Sequence, residues 1–131
     1  MIKMVVEVWK RPDMSMQAFT QRWLVDHGGL VKKHANAMGL IRYVQSHKQS
    51  SDAMEAFARE RGWKPPPDGL TEVWWESMES LKQALSSPQG QAASAELELD
   101  EQQFCDCKKI SGFLSTEETI FDFTSGLREV S

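Results

Sequence analysis

An α+β fold is what this 131-residue sequence predicts, with four strands of one antiparallel sheet and two helical regions in the order βαββαβ. Three observations predict it. Apolar residues alternate with a period of two in four stretches and recur at helical spacing between the first and second and between the third and fourth. Turn formers divide these stretches: Pro12–Asp13, Gly39, and Pro65–Pro66–Pro67 followed by Asp68–Gly69. Trp74 and Trp75 are adjacent in the third strand, where neighbouring side chains point to opposite faces, so that strand is buried on both. A chain this short is expected to need a second copy of itself to complete the cover.

The first strand is Ile2–Lys10, with Met4, Val6 and Val8 on one face and Glu7 and Trp9 on the other. Ser15 is placed to cap a helix in which Met16, Phe19 and Trp23 form one buried stripe. Gly28–Gly29 is expected to break or bend that helix, with a further turn or two before Gly39. Leu40–His47 is the second strand, with Arg42 and Val44 facing one way and Tyr43, Gln45 and His47 the other. Residues 50–67 read as a charged helix over 50–62, with Met54 and Phe57 on one side, and a stiff connector at Pro65–Pro66–Pro67. As an insertion between two strands this segment is expected to be lid-like. Leu70–Glu76 is the third strand. Ser77 caps a helix carrying Met78, Leu81 and Leu85, and a second helix restarts at Ser87–Pro88, where proline fits the first turn. Gln103–Lys109 is the expected fourth strand, and residues 111–131 are expected to form a C-terminal arm of a single domain spanning 1–131.

This order is the ferredoxin-like split βαβ arrangement. Its helices cover one face of the sheet, and two such sheets packed open face to open face would make a barrel-like homodimer. Strand parity places the hydrocarbon set Met4, Val6, Val8, Val44, Val73 and Trp75 under the helices. The opposite set, Glu7, Trp9, Tyr43, Gln45, His47, Glu72 and Trp74, mixes aromatic walls with a few polar groups. That composition suits a pocket for a small apolar or aromatic ligand, or a wet interface between two copies.

The net charge of −4 is unevenly spread. Residues 1–65 carry 11 Lys/Arg against 6 Asp/Glu, whereas residues 66–131 carry 4 against 13. No dense basic run occurs, so the asymmetry points to internal or intersubunit pairing rather than nucleic-acid binding. No stretch is apolar enough to span a bilayer and no signal-peptide pattern opens the chain, so a cytoplasmic protein with no membrane partner is expected. Cys105 and Cys107 make a poor metal site by themselves, and His27, His34 and His47 lack metal-binding spacings. No phosphate loop or serine nucleophile elbow is present, and the expectation is no cofactor. His27, in "LVDHGGLVKKH", is the candidate reactive group. Near neutral pH an imidazole can take or give a proton, or it can cap the carbonyls freed at a helix end.

Several stretches together resemble the EthD family, named for a protein of ethyl tert-butyl ether degradation. "MVVEVWKRPDMSMQAFTQRWLVDHGGLV", "GLIRYVQSH", "PPDGLTEVWWESMESLKQALSSPQGQAA" and "SGFLSTEETIF" are similar to its opening strand, helix and His-Gly corner, its second strand, its third strand with following helices, and its C-terminal arm. Where the family usually has proline after the His-Gly pair, this chain has Gly29. The resemblance implies a dimeric α/β barrel with a pocket in each protomer, His27 as the recurrent histidine, and Tyr43, Gln45, Glu72 and Trp74 as recurrent strand residues. It implies no settled reaction, since relatives act in degradation and in polyketide-type pathways. Three functions fit, in this order: a cofactor-independent enzyme acting on a small aromatic or cyclic metabolite by His27 acid/base chemistry, a non-catalytic accessory protein that binds such a metabolite, and haem binding.

Overall fold

The computed structural model describes residues 1–126. Strand β1 (Ile2–Val8) leads into helix α1 (Met16–Gln21), whose N-cap Ser15 accepts a hydrogen bond from the Ala18 amide. The helix continues through one π-helical stretch (Arg22–His27) into α2 (Gly28–His34). Then follow β2 (Arg42–His47), α3 (Asp52–Arg61), β3 (Gly69–Trp75), α4 (Met78–Ser86), α5 (Pro88–Glu101) and β4 (Ser111–Ser115). The sheet order is β2-β3-β1-β4, antiparallel throughout. This is the split βαβ topology, with α3 added between β2 and β3.

Three local expectations are corrected. Gly28 and Gly29 do not break the helix. The π-helical turn absorbs the extra residue there, and the Gly28 amide bonds back to the Trp23 carbonyl. Gln103–Lys109 is not a strand but a corner that plugs one end of the core. Phe104 and Cys105 are buried there while the chain touches β1's end through Arg11 N–H to Phe104 O (3.0 Å) and Asp106 N–H to Trp9 O (2.8 Å). The fourth strand comes later, from Ser111–Ser115 in the expected C-terminal arm, where it pairs with Lys3–Glu7. The last five residues of that arm lie outside the described residues.

The third correction concerns the faces of the sheet. Tyr43 pairs with Val73, Gln45 with Thr71 and His47 with Gly69, whereas Val44 pairs with Glu72. Tyr43, Gln45 and His47 therefore lie under the helices together with Met4, Val6, Val73 and Trp75, and Val44 faces the other way. Buried polar groups are tolerated where they are hydrogen-bonded. Gln45 Nε2 donates to Trp23 O and to Tyr43 Oη (both 2.9 Å), His47 Nε2 meets Gln45 Oε1 at 2.8 Å, and the His47 ring stacks on Trp23 at 4.2 Å between centroids.

Trp74 and Trp75 are both buried, on opposite faces as strand geometry demands. The cover over Trp74, however, comes from its own chain. Its Nε1–H donates to Glu117 of the arm (2.9 Å), and the cations of Lys3 and Arg42 lie 5.4 and 4.6 Å from the ring. Trp75 turns inward and donates to the Met38 carbonyl (2.8 Å).

The helix-side core is in two pieces. One is Val8, Phe19, Trp23, Phe104 and Cys105. The other is Val73, Trp75 and Leu81, with Ile2, Met4, Leu40, Tyr43 and Met78 packed against it. Trp23 fits only because residue 69 is glycine: a Cβ there would stand 2.6 Å from the indole and 2.4 Å from the Ser46 carbonyl. The charge asymmetry also resolves within the chain. Lys3–Glu72 (2.6 Å), Arg22–Asp100, His34–Glu96 (2.8 Å) and Lys48–Asp68 (3.6 Å) each join the basic half to the acidic half. Helix α3 has no buried residue, and Met54, Phe57 and Trp63 are exposed, the Phe57 and Trp63 rings 5.3 Å apart. Among the described residues, no helix is long and apolar enough to cross a membrane.

Candidate functional site

Between the two core clusters the helices stand off the sheet and leave a cavity of about 670 Å³. Its walls are apolar: Met4, Val6, Trp23, Val31, Leu40, Val73, Trp75, Leu81 and Leu97 among them. Unfilled core volume costs stability, so a cavity of this size in so small a protein is a feature to be explained. Few polar groups reach it, chiefly His27, Tyr43, Thr71, Glu98 and Glu101.

His27 is held from behind. The π-helical turn places it on the inner side of the helix, where it is 4% exposed and its ring packs on Phe104 at 5.0 Å. Single π-helical turns of this kind recur at functional sites because they re-aim one side chain. Nδ1 lies 2.7 Å from Asp100 Oδ2, and the same carboxylate is clamped by both terminal nitrogens of Arg22. A carboxylate only accepts, so Nδ1 carries the proton and Nε2 of the neutral ring is left with its lone pair. Nε2 lies 3.9 Å from Glu101 Oε1, too far for a hydrogen bond.

Burial lowers the pKa of His27, and the bond to Asp100 offsets this only in part. The ring is therefore neutral at pH 7. Burial pulls the Asp100 carboxyl up, but the Arg22 guanidinium and the His27 bond outweigh it, so Asp100 is held below its ordinary value. Glu101 goes the other way, pushed up to about 7 by burial and by repulsion from Glu98 and Asp100. Its side chain keeps 41% exposure at the cavity mouth, and water there tempers the rise. Burial also raises the pKa of Tyr43 and of Cys105, which are neutral at pH 7. A base, a carboxylic acid and a phenol thus meet at one apolar hole.

The sequence-predicted site residues divide between the two faces. His27 and Tyr43 line the cavity. Gln45 and His47 lie on the same face as a supporting chain that fixes the Tyr43 hydroxyl and the Trp23 carbonyl. Glu72 and Trp74 lie on the open face, where Glu72 pairs with Lys3. Glu7 is on the open face as well, accepting from Ser111 (3.3 Å), and Trp9 sits beyond the strand end under Lys109. His34 is paired with Glu96. None of residues 50–67 lines the cavity. The sequence reading missed Asp100 and Glu101. Their signal is in the chain all the same: two carboxylates end α5 with no basic residue in its last turn, against the helix dipole. Such placement asks for a partner outside the helix.

The decisive comparison is with protein families. The model of the EthD domain matches residues 11–108. The chain belongs to the EthD family. Among solved structures, an EthD-family protein of Bacillus halodurans C-125 is 19% identical with a TM-score of 0.59, covering 90% of this chain and 100% of that one. A protein of Bacteroides fragilis described as dimeric and ferredoxin-like is 7% identical with a TM-score of 0.55, over 87% of this chain and 93% of that one. SnoaB, a cofactor-independent oxygenase of Streptomyces nogalater, is 11% identical with a TM-score of 0.54, over 92% and 97%. These likenesses confirm the ferredoxin-like fold. A comparison with curated proteins finds no match. Among the described residues, no group of three or more His, Cys, Asp or Glu is arranged to hold a metal ion.

The raised carboxyl of Glu101 has a consequence for stability. Between its ordinary value of 4.5 and about 7 the folded chain holds a proton that the unfolded chain has released, so this group's contribution is present at low pH and is lost as pH rises through 7. His27, lowered from 6.5, contributes with the opposite slope. Glu101→Gln should therefore gain stability relative to the parent protein between pH 4.5 and 7.5, as read by urea unfolding at both pH values. An unchanged difference would place Glu101 in an ordinary solvated setting.

Proposed function

We propose that this EthD protein is a cofactor-independent enzyme that acts on a small aromatic or cyclic metabolite, with His27 as its acid/base group. One observation carries the reading: a buried neutral imidazole, fixed through Nδ1 by Asp100, leaves Nε2 free beside an apolar cavity. A general base needs a lone pair and a fixed direction, and this arrangement supplies both in a ring that burial keeps neutral. Asp100 would also stabilise the imidazolium formed when Nε2 takes a proton. Tyr43 has a hydroxyl hydrogen not used in its bond from Gln45, and is placed to orient a substrate oxygen. The likeness to a cofactor-independent oxygenase supports a reaction that needs no cofactor.

A homodimer through the open face belongs to the same reading. Val5, Val44 and Phe113 lie on that face, Phe113 61% exposed, and a similar structure is described as dimeric. A cytoplasmic setting agrees with the two free cysteines. Light scattering at micromolar concentration should give about 30 kDa, twice the chain's 14.9 kDa; a 15 kDa particle rules the dimer out.

The activity is tested with a panel of phenols, quinones and lactones, using purified protein and no added cofactor. His27→Ala should lower turnover by about 10²–10⁴-fold with little change in melting temperature. Saturable binding of panel compounds without turnover of any of them would instead support a metabolite-binding accessory protein. A variant that unfolds yet keeps its activity per folded molecule would make His27 a structural group.

A further inference from the structure

The charge around the cavity is of one sign. Among the described residues, Glu98 and Glu101 line it and no lysine or arginine does. Arg22, the cation nearest the imidazole, is committed to Asp100. A carboxylate or phosphate entering this space would lose its water and gain no counter-charge. An uncharged molecule suffers no such penalty. Within the cavity His27 Nε2 and Glu101 Oε1 are side by side, 3.9 Å apart and not bonded to each other. Each is free to reach a different atom of one ligand.

We propose that His27 and Glu101 act as a pair on an uncharged carbonyl compound, relocating a proton within it. The proposal rests on the acid/base reading of His27 and names its second proton carrier and substrate class. Nε2 takes a proton from the carbon beside the carbonyl. The C–H electron pair becomes the new C=C bond while the carbonyl π pair takes the Glu101 proton, giving a neutral enol. His27 is then an imidazolium held against Asp100, and Glu101 is a carboxylate. When the substrate is unsaturated, the imidazolium returns its proton to the far carbon of the dienol as Glu101 recovers the enol proton. The product is an isomer, both groups are restored, and no oxidant or reductant is consumed. With a saturated neighbour the proton returns to the same carbon, and the event shows only as exchange with solvent.

The surroundings of Glu101 suit the acid role. Glu98 and Asp100 on its own helix repel its charged form, Tyr43 from β2 and Cys105 and Cys107 from the corner beyond α5 are neutral, and His27 faces it from the π-helical turn with Arg22 already neutralised. Its raised carboxyl, even with water tempering the rise, keeps the proton to higher pH than an ordinary glutamate does.

The probe is 2-tetralone, a neutral bicyclic ketone, in deuterated buffer, with loss of its α-hydrogens followed by proton NMR and binding followed by tryptophan fluorescence. The parent protein should accelerate exchange over buffer. Glu101→Gln should bind the ketone but exchange it about 10²-fold or more slowly and lose the fall in rate above pH 7, while Glu101→Asp recovers part of the rate. Exchange by Glu101→Gln at the parent rate and with the parent pH profile overturns the pair, and leaves the His27 reading intact if His27→Gln is inactive. Parent-rate exchange by both variants overturns both. A parent protein that does not accelerate exchange, or that binds a ring-carboxylated tetralone as tightly as tetralone, overturns the pair or the substrate class respectively.

Discussion

One carboxylate ties the molecule together. Asp100 ends α5 where the helix dipole disfavours a negative charge, and it is held there because Arg22 and His27 approach it from the π-helical turn. The contact joins the two helical regions that roof the sheet, and it fixes the histidine tautomer at the same time. Removing one partner of such a cluster leaves the others with unmatched polar groups, which is costly when they are partly buried. Position and chemistry of His27 therefore share one cause. The π-helical turn matters for the same reason: without its extra residue, the ring would point along a different side of the helix.

The cavity exists because the two core clusters do not meet. Trp23 and Phe104 fill one end, Trp75 and Leu81 the other, and the cavity lies between them. Gly69 lets Trp23 lie flat on β3, and the Gln45–Tyr43–His47 chain braces the indole from β2. The polar chain thus has two effects. It satisfies donors and acceptors beneath the helices, and it fixes the Tyr43 hydroxyl beside the cavity. The open face of the sheet is built differently, with Lys3–Glu72 and cation-covered Trp74 among apolar residues.

Much of the fold was legible in the sequence because strand parity and capping chemistry are local. The Trp74–Trp75 alternation, the caps at Ser15 and Ser77, and the restart at Ser87–Pro88 all stand as the residues suggest. Long-range choices were not legible. Parity separates the two faces of β2, but hydrocarbon Val44 reads more like core than Gln45 and His47 do, and only their bonds to one another and to the Trp23 carbonyl reverse that preference. Phe104 and Cys105 looked like strand residues because burial in a corner and burial in a strand leave the same apolar signature. At the site, His27 and Tyr43 stood out by residue type, whereas Asp100 and Glu101 were lost in an acidic helix whose polarity looked like an ordinary solvated face. The helix-end placement of those two carboxylates was the clue.

At the heart of the site His27 is a neutral ring, protonated at Nδ1 toward Asp100 and open at Nε2 toward the cavity. Nitrogen-15 NMR of the imidazole at pH 7 tests it most directly, because protonated and lone-pair ring nitrogens have well-separated shifts. A protonated Nδ1 and a lone-pair Nε2 are expected for His27, with that pattern lost in Asp100→Asn. A ring protonated at Nε2 alone, or at both nitrogens at pH 7, would contradict it.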